Sequence, residues 1–523
     1  MSDNCPVEIK PLSQSTDSRS SLTFNLNYTN QDFWSMKARL VDFVKERFGP
    51  NGTELPNTFN DFVESSIAIM LIENWAFLAD TLSFKMDQIV NELFIDTVTE
   101  VENAFRLAKL VGFQPTPPIA ARSKWIAQIN AALSDDIEIE TPISIDIPST
   151  NTPTSIELFA ADNSGQPLFD QNIIIPAGSK FNKSIVGVEG RTINEEFSGT
   201  GQVGQTLTLS FSPVIFGSII VSVDGTTWEE VDYFTDSQPR KEYRIEFNSD
   251  YEAFVMFGNN RTGMIPSNGS RIEVRYRIGG GTIGNIVTGF IQTQRQVVVA
   301  GLDYSVPITY SNYTKGEYGY GGDGLNEVKR KLPRWIKTQD RAVTASDYKT
   351  LTDQFATPYY GKVGKSTAVL RNYGCSGNIV DLYILADDGD DTLANASNEL
   401  KVALNEELNS KKMLTDFLCI KDGIVLNIDV SVDVILDRFY RKFETELKEN
   451  ILRRINAFFS INNWDYNQVL RDTDLIKELS DIKEIQSFQI TFVTEDSESG
   501  MTVTPKFNEI IRPDTITISM VYN

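Results

Sequence analysis

Ile424-Val425-Leu426-Asn427-Ile428-Asp429-Val430-Ser431-Val432-Asp433-Val434-Ile435-Leu436 is the stretch on which the reading of the fold turns. Ile424, Leu426, Ile428, Val430, Val432, Val434 and Leu436 fall on every second position, with Asn427, Asp429, Ser431 and Asp433 between them. Side chains two apart share one face of an extended chain, so this is one long strand with one buried face. Two helical stripes follow, Leu447, Ile451, Ile455 and Phe458, then Leu475, Ile476 and Leu479. A return strand puts Phe488, Ile490 and Phe492 on one side. Strand, helix, helix and strand make a compact α+β domain of residues 421–523. A last alternating run, Ile516, Ile518, Met520 and Tyr522, reads as its edge strand, whose open backbone groups invite pairing unless a partner covers them.

Upstream, residues 312–420 read as an α/β domain. A Gly/Tyr-rich hinge, Tyr318 to Gly324, opens a short helix, Leu325 to Leu332, that Pro333 should end. A second helix follows: Thr344 can cap it, and Asp347 stands three positions later to complete a capping box. Strands near Ser366–Leu370 and Ile379–Leu385 precede a helix over Asn398–Asn409. Residues 119–311 have another texture. β-Branched runs such as Ile137–Ile147, Thr206–Phe211, Ile219–Val223 and Arg271–Ile278 alternate with Gly, Asn, Asp and Pro clusters. This predicts a mostly antiparallel β region, with an insertion. Ile173–Ile175 followed by Pro176-Ala177-Gly178-Ser179 reads as a strand entering a tight turn.

Residues 31–118 are helical. Asp32–Phe48 forms a short helix stopped by Gly49-Pro50. A longer pattern from Asn57 to Phe94 carries Ile67, Leu71, Trp75, Leu78, Leu82, Met86, Ile89 and Leu93 at three- and four-residue steps. Phe62, Ile69, Phe77 and Phe84 widen that stripe beyond one face. A helix apolar on several sides needs several neighbours, either from a bundle within the chain or from other subunits; only two shorter helices lie nearby, which favours contact between subunits. Thr99–Val111 is the last helix, ended by Gly112 and by Pro115, Pro117 and Pro118. Residues 1–30, with a Ser-rich run from Ser13 to Ser21, read as an extended arm. The predicted fold class is thus α+β multidomain: a helical N-terminal region, a central mostly antiparallel β region and C-terminal α+β domains.

Composition narrows the function. The 523 residues carry a formal charge of −23, which opposes a nucleic-acid partner. There is no histidine, which removes Ser-His-Asp and Cys-His chemistry and His-ligated zinc. Cys5, Cys375 and Cys419 are scattered, with no CxxC, and indicate neither a metal cluster nor a disulfide framework. The first residues have no apolar core of a signal peptide. The apolar run Ile67–Ile72, bounded by Glu64 and Glu73, is too short for a bilayer, so no membrane insertion is expected.

Several motifs imitate sites. Gly279-Gly280-Gly281-Thr282-Ile283-Gly284 matches GxGxxG, with Asp303 about where a ribose-binding acid would stand. The segment after it, with Gly289 and Val297-Val298-Val299, is a poor helix, so a Gly-rich turn is the better reading. Gly364-Lys365-Ser366 ends like a phosphate loop, but Tyr359 holds the required glycine position. Asp387, Asp388, Asp390, Asp391 and Glu399 partly follow a calcium loop, yet Leu393 and Ala396 stand at its sixth and ninth positions. No local signature nominates a carboxylate pair for glycoside hydrolysis among the 71 acids. No catalytic, cofactor-binding or metal-binding residue is therefore assigned, and no cofactor is expected.

Two segments resemble a known family. One is Phe254-Val255-Met256-Phe257-Gly258-Asn259 with Gly263, Pro266 and Gly269, then Ile272-Glu273-Val274-Arg275-Tyr276-Arg277, Gly279-Gly280-Gly281 and Gly284-Asn285. The other is Arg341-Ala342-Val343-Thr344-Ala345-Ser346-Asp347-Tyr348. Their order and wording resemble the baseplate J-like family of contractile tails, which carries a glycine-rich "FGDG…GGG…GN" stretch and then "RAVT..DY". Residues 55–122, with Trp75 and the exit Gly112-Phe113-Gln114-Pro115, are similar to the family's N-terminal region; the likeness runs from about 55 to about 490. Asn259 stands where the family has aspartate, and Gly321-Gly322-Asp323 is shorter than its pattern. The long helix and polar arm resemble the wedge proteins of T-even-like phages more than shorter homologues. The resemblance implies a non-enzymatic baseplate wedge subunit of the virion tail, made in the host cytoplasm. It would dimerise with itself, join other wedge proteins, form a ring around the central hub, and rearrange on sheath contraction. The competing readings are a tail-associated polysaccharide hydrolase using a carboxylate pair, and another virion structural protein of neck or capsid.

Overall fold

The computed structural model describes residues 32–63, 66–130, 134–147, 154–162, 165–234, 238–298, 305–372, 378–389, 391–436, 438–482, 485–494 and 499–522. The expected arm, Cys5, Cys375, Asp303 and Asp390 lie outside them. The chain divides into two compact units, one holding residues 32–115 with Gly324–Leu332, the other Thr116–Asp323 with the chain from Pro333 onward.

The first unit is helical. α1 (Phe33–Phe48) starts at a capping box: Ser35 N donates to Asp32 Oδ1 at 2.8 Å and Asp32 N to Ser35 Oγ at 3.0 Å. α2 (Ile67–Asn91) begins ten residues later than the sequence pattern suggested. The reason lies at the end of α1, whose free carbonyls recruit the next segment. Thr58 N and Phe59 N donate to Phe48 O, and Asn57 N to Gly49 O, with Asn57 itself at φ +61°. Backbone used in that turn cannot also build a helix. α3 (Val101–Leu110) has no cap of its own. Glu92 supplies one from a distance, accepting from Thr99 N at 2.9 Å, Glu100 N at 3.3 Å and Asn103 Nδ2 at 2.9 Å. Gly112 at φ +77° then ends α3, where Phe113 N bonds Ala108 O.

The second unit opens with a seven-stranded sheet, in the order Gln292–Val298, Ser305–Asn312, Arg122–Ile129, Phe181–Glu189, Thr154–Ala161 and Ile143–Ile147, with Pro167–Leu168 beside Thr154–Ala161. The run Ile137–Ile147 is two strands and not one: Ile137–Ile139 pairs with Ile173–Ile175, while Ile143–Ile147 joins the large sheet. Two four-stranded sheets follow, one centred on Ile220–Val223 and Arg271–Ile278, the other on Glu242–Phe247 and Ala253–Phe257. Val221, Ile272, Val274 and Tyr276 of the first share a buried cluster with Leu207, Tyr243, Val255 and Phe257 of the second, which makes a sandwich.

α4 (Leu325–Thr338) runs through Pro333, which the sequence had suggested as its end. A proline removes one amide and crowds the preceding turn, but Val328 and Leu332 are buried and Trp335 packs on the next core, continuing the same stripe. α5 (Ala345–Asp353) and α6 (Asn398–Lys411) cover a five-stranded sheet built on Gly361–Asn372 and Asn378–Gly389, through Tyr348, Leu351, Leu400, Leu404 and Leu408.

Ile424–Leu436 is one strand, as its alternation requires. It lies between Ile485–Thr494, antiparallel, and Glu509–Tyr522, parallel, which is the sheet's edge. Ile428, Val430, Val432, Val434 and Leu436 are buried against Leu447, Ile451 and Ile455 of α7 (Glu444–Phe458) and Leu475 and Leu479 of α8 (Asp472–Leu479). Ile424 is exposed, so the pattern begins before the buried face does.

A charged cluster joins this domain to the one before it. Lys349 Nζ of α5 donates to Asp465 Oδ1 at 2.7 Å and to Ser366 O at 2.9 Å, with Lys365 Nζ 3.7 Å from the same carboxylate. Burial pushes the Asp465 carboxyl up, but Lys349 and Lys365 together hold it down at about 2. A depressed carboxyl pKa stabilises the fold fully above its unfolded value near ~3.9, and the contribution is lost as pH falls through 2. Asp465→Asn should therefore cost about 1–2 kcal/mol at pH 7, a range already reduced for solvent screening. Denaturant titrations of both proteins from pH 6 to pH 2 should show that difference shrinking below pH ~4; a difference constant with pH would refute the ion-pair account.

Candidate assembly surface

α2 is 25 residues long and leaves most of its apolar surface in solvent. Trp75 is 65% exposed, Phe77 66% and Phe84 64%, and Leu71, Leu78, Leu82, Met86 and Ile89 are exposed as well. Residues two apart on a helix point about 200° from each other, so Trp75 and Phe77 show that the bare surface is more than one stripe. Ile69, Ala76, Ser83 and Asn91 are its buried positions. Lys37 of α1 reaches Glu73 of α2 at 2.7 Å. Apolar surface left in water costs about 25 cal/mol per Å², and contiguous bare patches of this kind mark contact surfaces.

Length and apolar composition alone would let α2 cross a bilayer, which corrects the expectation drawn from Ile67–Ile72. Glu73, Asp80, Lys85 and Asp87 interrupt the helix, and an ionised side chain at bilayer depth costs roughly 2.5–3.5 kcal/mol even on the lower scale. An ionised side chain is costlier against lipid than in a contact with protein and water.

The glycine-rich segment is a closed junction with its ligand built in. Gly280 N and Gly281 N donate to the two carboxylate oxygens of Glu189, at 3.0 and 3.1 Å. Burial pushes the Glu189 carboxyl up, and these amides and Arg277 oppose the shift. The anion-holding amides that suggested a nucleotide loop are thus occupied by the chain's own strand Phe181–Glu189. Gly281, at φ +73°, lies so close to Tyr320 O that a Cβ there would overlap it. Ile119 and Tyr320 exchange backbone bonds at 2.9 Å, and Asn285 Oδ1 and Nδ2 bond Gly319 N and Gly319 O. Tyr318–Asp323 is accordingly a hydrogen-bonded stem whose glycines permit close backbone approach.

Arg341 to Tyr348 forms a corner. Asp347 N donates to Thr344 Oγ1 at 3.3 Å, Thr344 N returns to Asp347 Oδ2 at 2.8 Å, and Tyr348 Oη donates to buried Asp416 at 2.8 Å. The other motifs also turn inward. Gly364-Lys365-Ser366 lies within a strand, where Ser366 Oγ donates to Asp353 Oδ1 at 2.7 Å. In the acidic loop Asp387 pairs with Lys362, Asp388 with Lys315, and Asp391 accepts from Ile461 N at 2.8 Å. Among the described residues no group of His, Cys, Asp or Glu has metal-site geometry. A cleft of about 410 Å³ lies between the large sheet and the sandwich, and Asp170 is the carboxylate on its wall. The Arg275 hydrogen bond holds Asp170 below the usual range, opposite to what a general acid requires.

Residues 32–110, which hold α1 to α3, match the family described as bacteriophage baseplate protein, N-terminal domain. No curated protein matches the chain. Among solved structures, a chain of the 6-fold symmetrised cryo-EM structure of the anti-feeding prophage baseplate aligns over 92% of this chain and 98% of its own length. The identity is 11% and the TM-score 0.39, below the level at which a shared fold can be argued. The segment that matches a baseplate protein's N-terminal domain includes the exposed α2.

Gly281→Ala should destabilise the protein by more than about 1 kcal/mol, because both its φ and its neighbours forbid a Cβ. An unchanged denaturant midpoint would contradict the junction described above. Thr344→Ala should cost about 0.5–2 kcal/mol by thermal unfolding, through loss of the cap alone.

Proposed function

We propose that this chain is a structural, non-catalytic wedge subunit of a contractile-tail baseplate, belonging to the baseplate J-like group. It resides in the tail baseplate of the virion after synthesis in the host cytoplasm. It pairs with a second copy of itself and with other wedge proteins, contributes to the ring around the central hub and sheath, and shifts when the sheath contracts. The observation that carries this reading is α2: a helix bare on several sides, inside the segment that matches a baseplate domain. Symmetric assemblies supply from other copies the helices that one chain lacks. The charge of −23 and the inward-turned motifs agree with a chain whose work is contact and not chemistry.

The test is Trp75→Glu. The wild-type chain should self-associate on sizing and cross-link to itself and to its wedge partners, and the variant should do neither while its C-terminal domain unfolds normally. Normal assembly of the variant would remove α2 from the interface. A monomeric wild type that floats with phospholipid vesicles would instead make α2 a membrane element.

A further inference from the structure

The cleft described above is lined by three arginines whose charges are not equally balanced. Arg275 Nη1 donates to Asp170 Oδ1 at 2.5 Å. Arg277 pairs with buried Glu157 and also donates to Thr192 Oγ1 at 2.9 Å and to the carbonyls of Val188 and Glu189 at 3.1 Å. Among the described residues no carboxylate pairs with Arg122. Its Nη1 donates to Gln166 Oε1 at 2.7 Å, its Nη2 to Pro358 O at 3.3 Å, and its Cζ lies 5.0 Å from the centroid of the Tyr359 ring. Its Nε is enclosed with no hydrogen-bond partner among the described residues. An arginine stays protonated in a protein, so Arg122 is a standing positive charge near Arg277, which Glu157 already neutralises, and it has no carboxylate partner among the described residues. Taking such a charge out of water costs several kcal/mol unless something pairs with it.

The surroundings state what could pair with it. Phe159, Phe169, Phe216 and Tyr359 give the cleft aromatic walls, and Asn172 and Asn194 add neutral polar groups. A volume of about 410 Å³ falls in the range of small-ligand sites, which are mostly apolar with a few placed polar groups. A planar guanidinium matches a carboxylate in shape and charge. Phosphate would bring more charge than one free arginine balances, and the aromatic walls favour an apolar body behind the anionic group.

We propose that this cleft binds a small organic carboxylate, with its anionic group paired to Arg122 and its apolar body against Phe159, Phe216 and Tyr359. The site is independent of α2, so it stands whether or not the wedge reading does.

The probe is 4-fluorobenzoate, followed by fluorine NMR on the full chain. Saturable binding is expected, at least tenfold weaker for the neutral isostere 4-fluorobenzamide, and lost in Arg122→Gln. Because Arg122→Gln could disturb the fold, Asn194→Trp serves as a second variant that fills the exposed side of the cleft and leaves Arg122 in place; it should also abolish binding. The surface variant Arg106→Gln should bind as the wild type does. No saturable binding overturns the proposal, as do equal binding of the amide, displacement by inorganic phosphate at equal concentration, or full binding by a folded Arg122→Gln or Asn194→Trp protein.

Discussion

The buried carboxylate of Glu189 governs the central region, because it holds together segments that enter and leave the region far apart in sequence. It ends the strand Phe181–Glu189 and takes the amides of Gly280 and Gly281. The same turn rests on Tyr320 and Ile119, where the chain enters and leaves the β region. Tyr251 tightens this closure: its hydroxyl donates to Asp323 O at 2.7 Å and reaches Thr116 O at 3.2 Å. A buried charge without these donors would be costly, so Glu189, the glycine turn and the stem stand or fall together. The long excursion from residue 116 to 323 then behaves as a closed loop, and its two sheet systems are fixed relative to the stem they share. Arg277 adds a second tie within this unit: Glu157 of the large sheet and Arg277 of the sandwich are both buried and paired.

Beyond the stem the same unit continues by short-range ties of the same kind. The corner at Thr344–Asp347 aims α5 so that Lys349 meets Asp465, and Tyr348 reaches Asp416. A capping box thus orients the helix whose lysine anchors the last domain. The helical unit is organised differently. α1 buries no residue and α2 buries four, so little of its apolar surface is satisfied within one chain. One unit pairs most of its buried charges inward, as Glu157 with Arg277 and Asp465 with Lys349; the other leaves most of the apolar surface of α2 bare.

How much was legible in the sequence follows from the range of the interaction concerned. Local patterns were: the period of two in Ile424–Leu436, the stop at Gly112 and the box at Thr344 depend on residues within a few positions. Competition between neighbours was less so. The start of α2 moved because amides at 57–59 bond the end of α1, and α4 outlasted Pro333 because its apolar stripe continues to Trp335. Long-range partners were not legible at all. Nothing near Gly280 announces that its anion is Glu189, ninety-one positions away, and nothing near Arg122 shows that it lacks one among the described residues. Glycines in Tyr318–Gly324, read as freedom to bend, are in Tyr318–Asp323 also the condition for backbones to touch.

The absence of histidine bears on how such a subunit could change state. Without it the chain lacks the side chain that ordinarily changes charge between pH 5 and 8. The Asp465 cluster is set to respond only in strong acid, near 2. Burial and the neighbouring Asp232 push the Glu230 carboxyl up to about 7, so one group does titrate in neutral surroundings; on the wedge reading proposed above, the other lever is a partner that binds one arrangement better than another. The surface available for that is the bare face of α2, where a modest difference in area buried between two arrangements is worth several kcal/mol at about 25 cal/mol per Å².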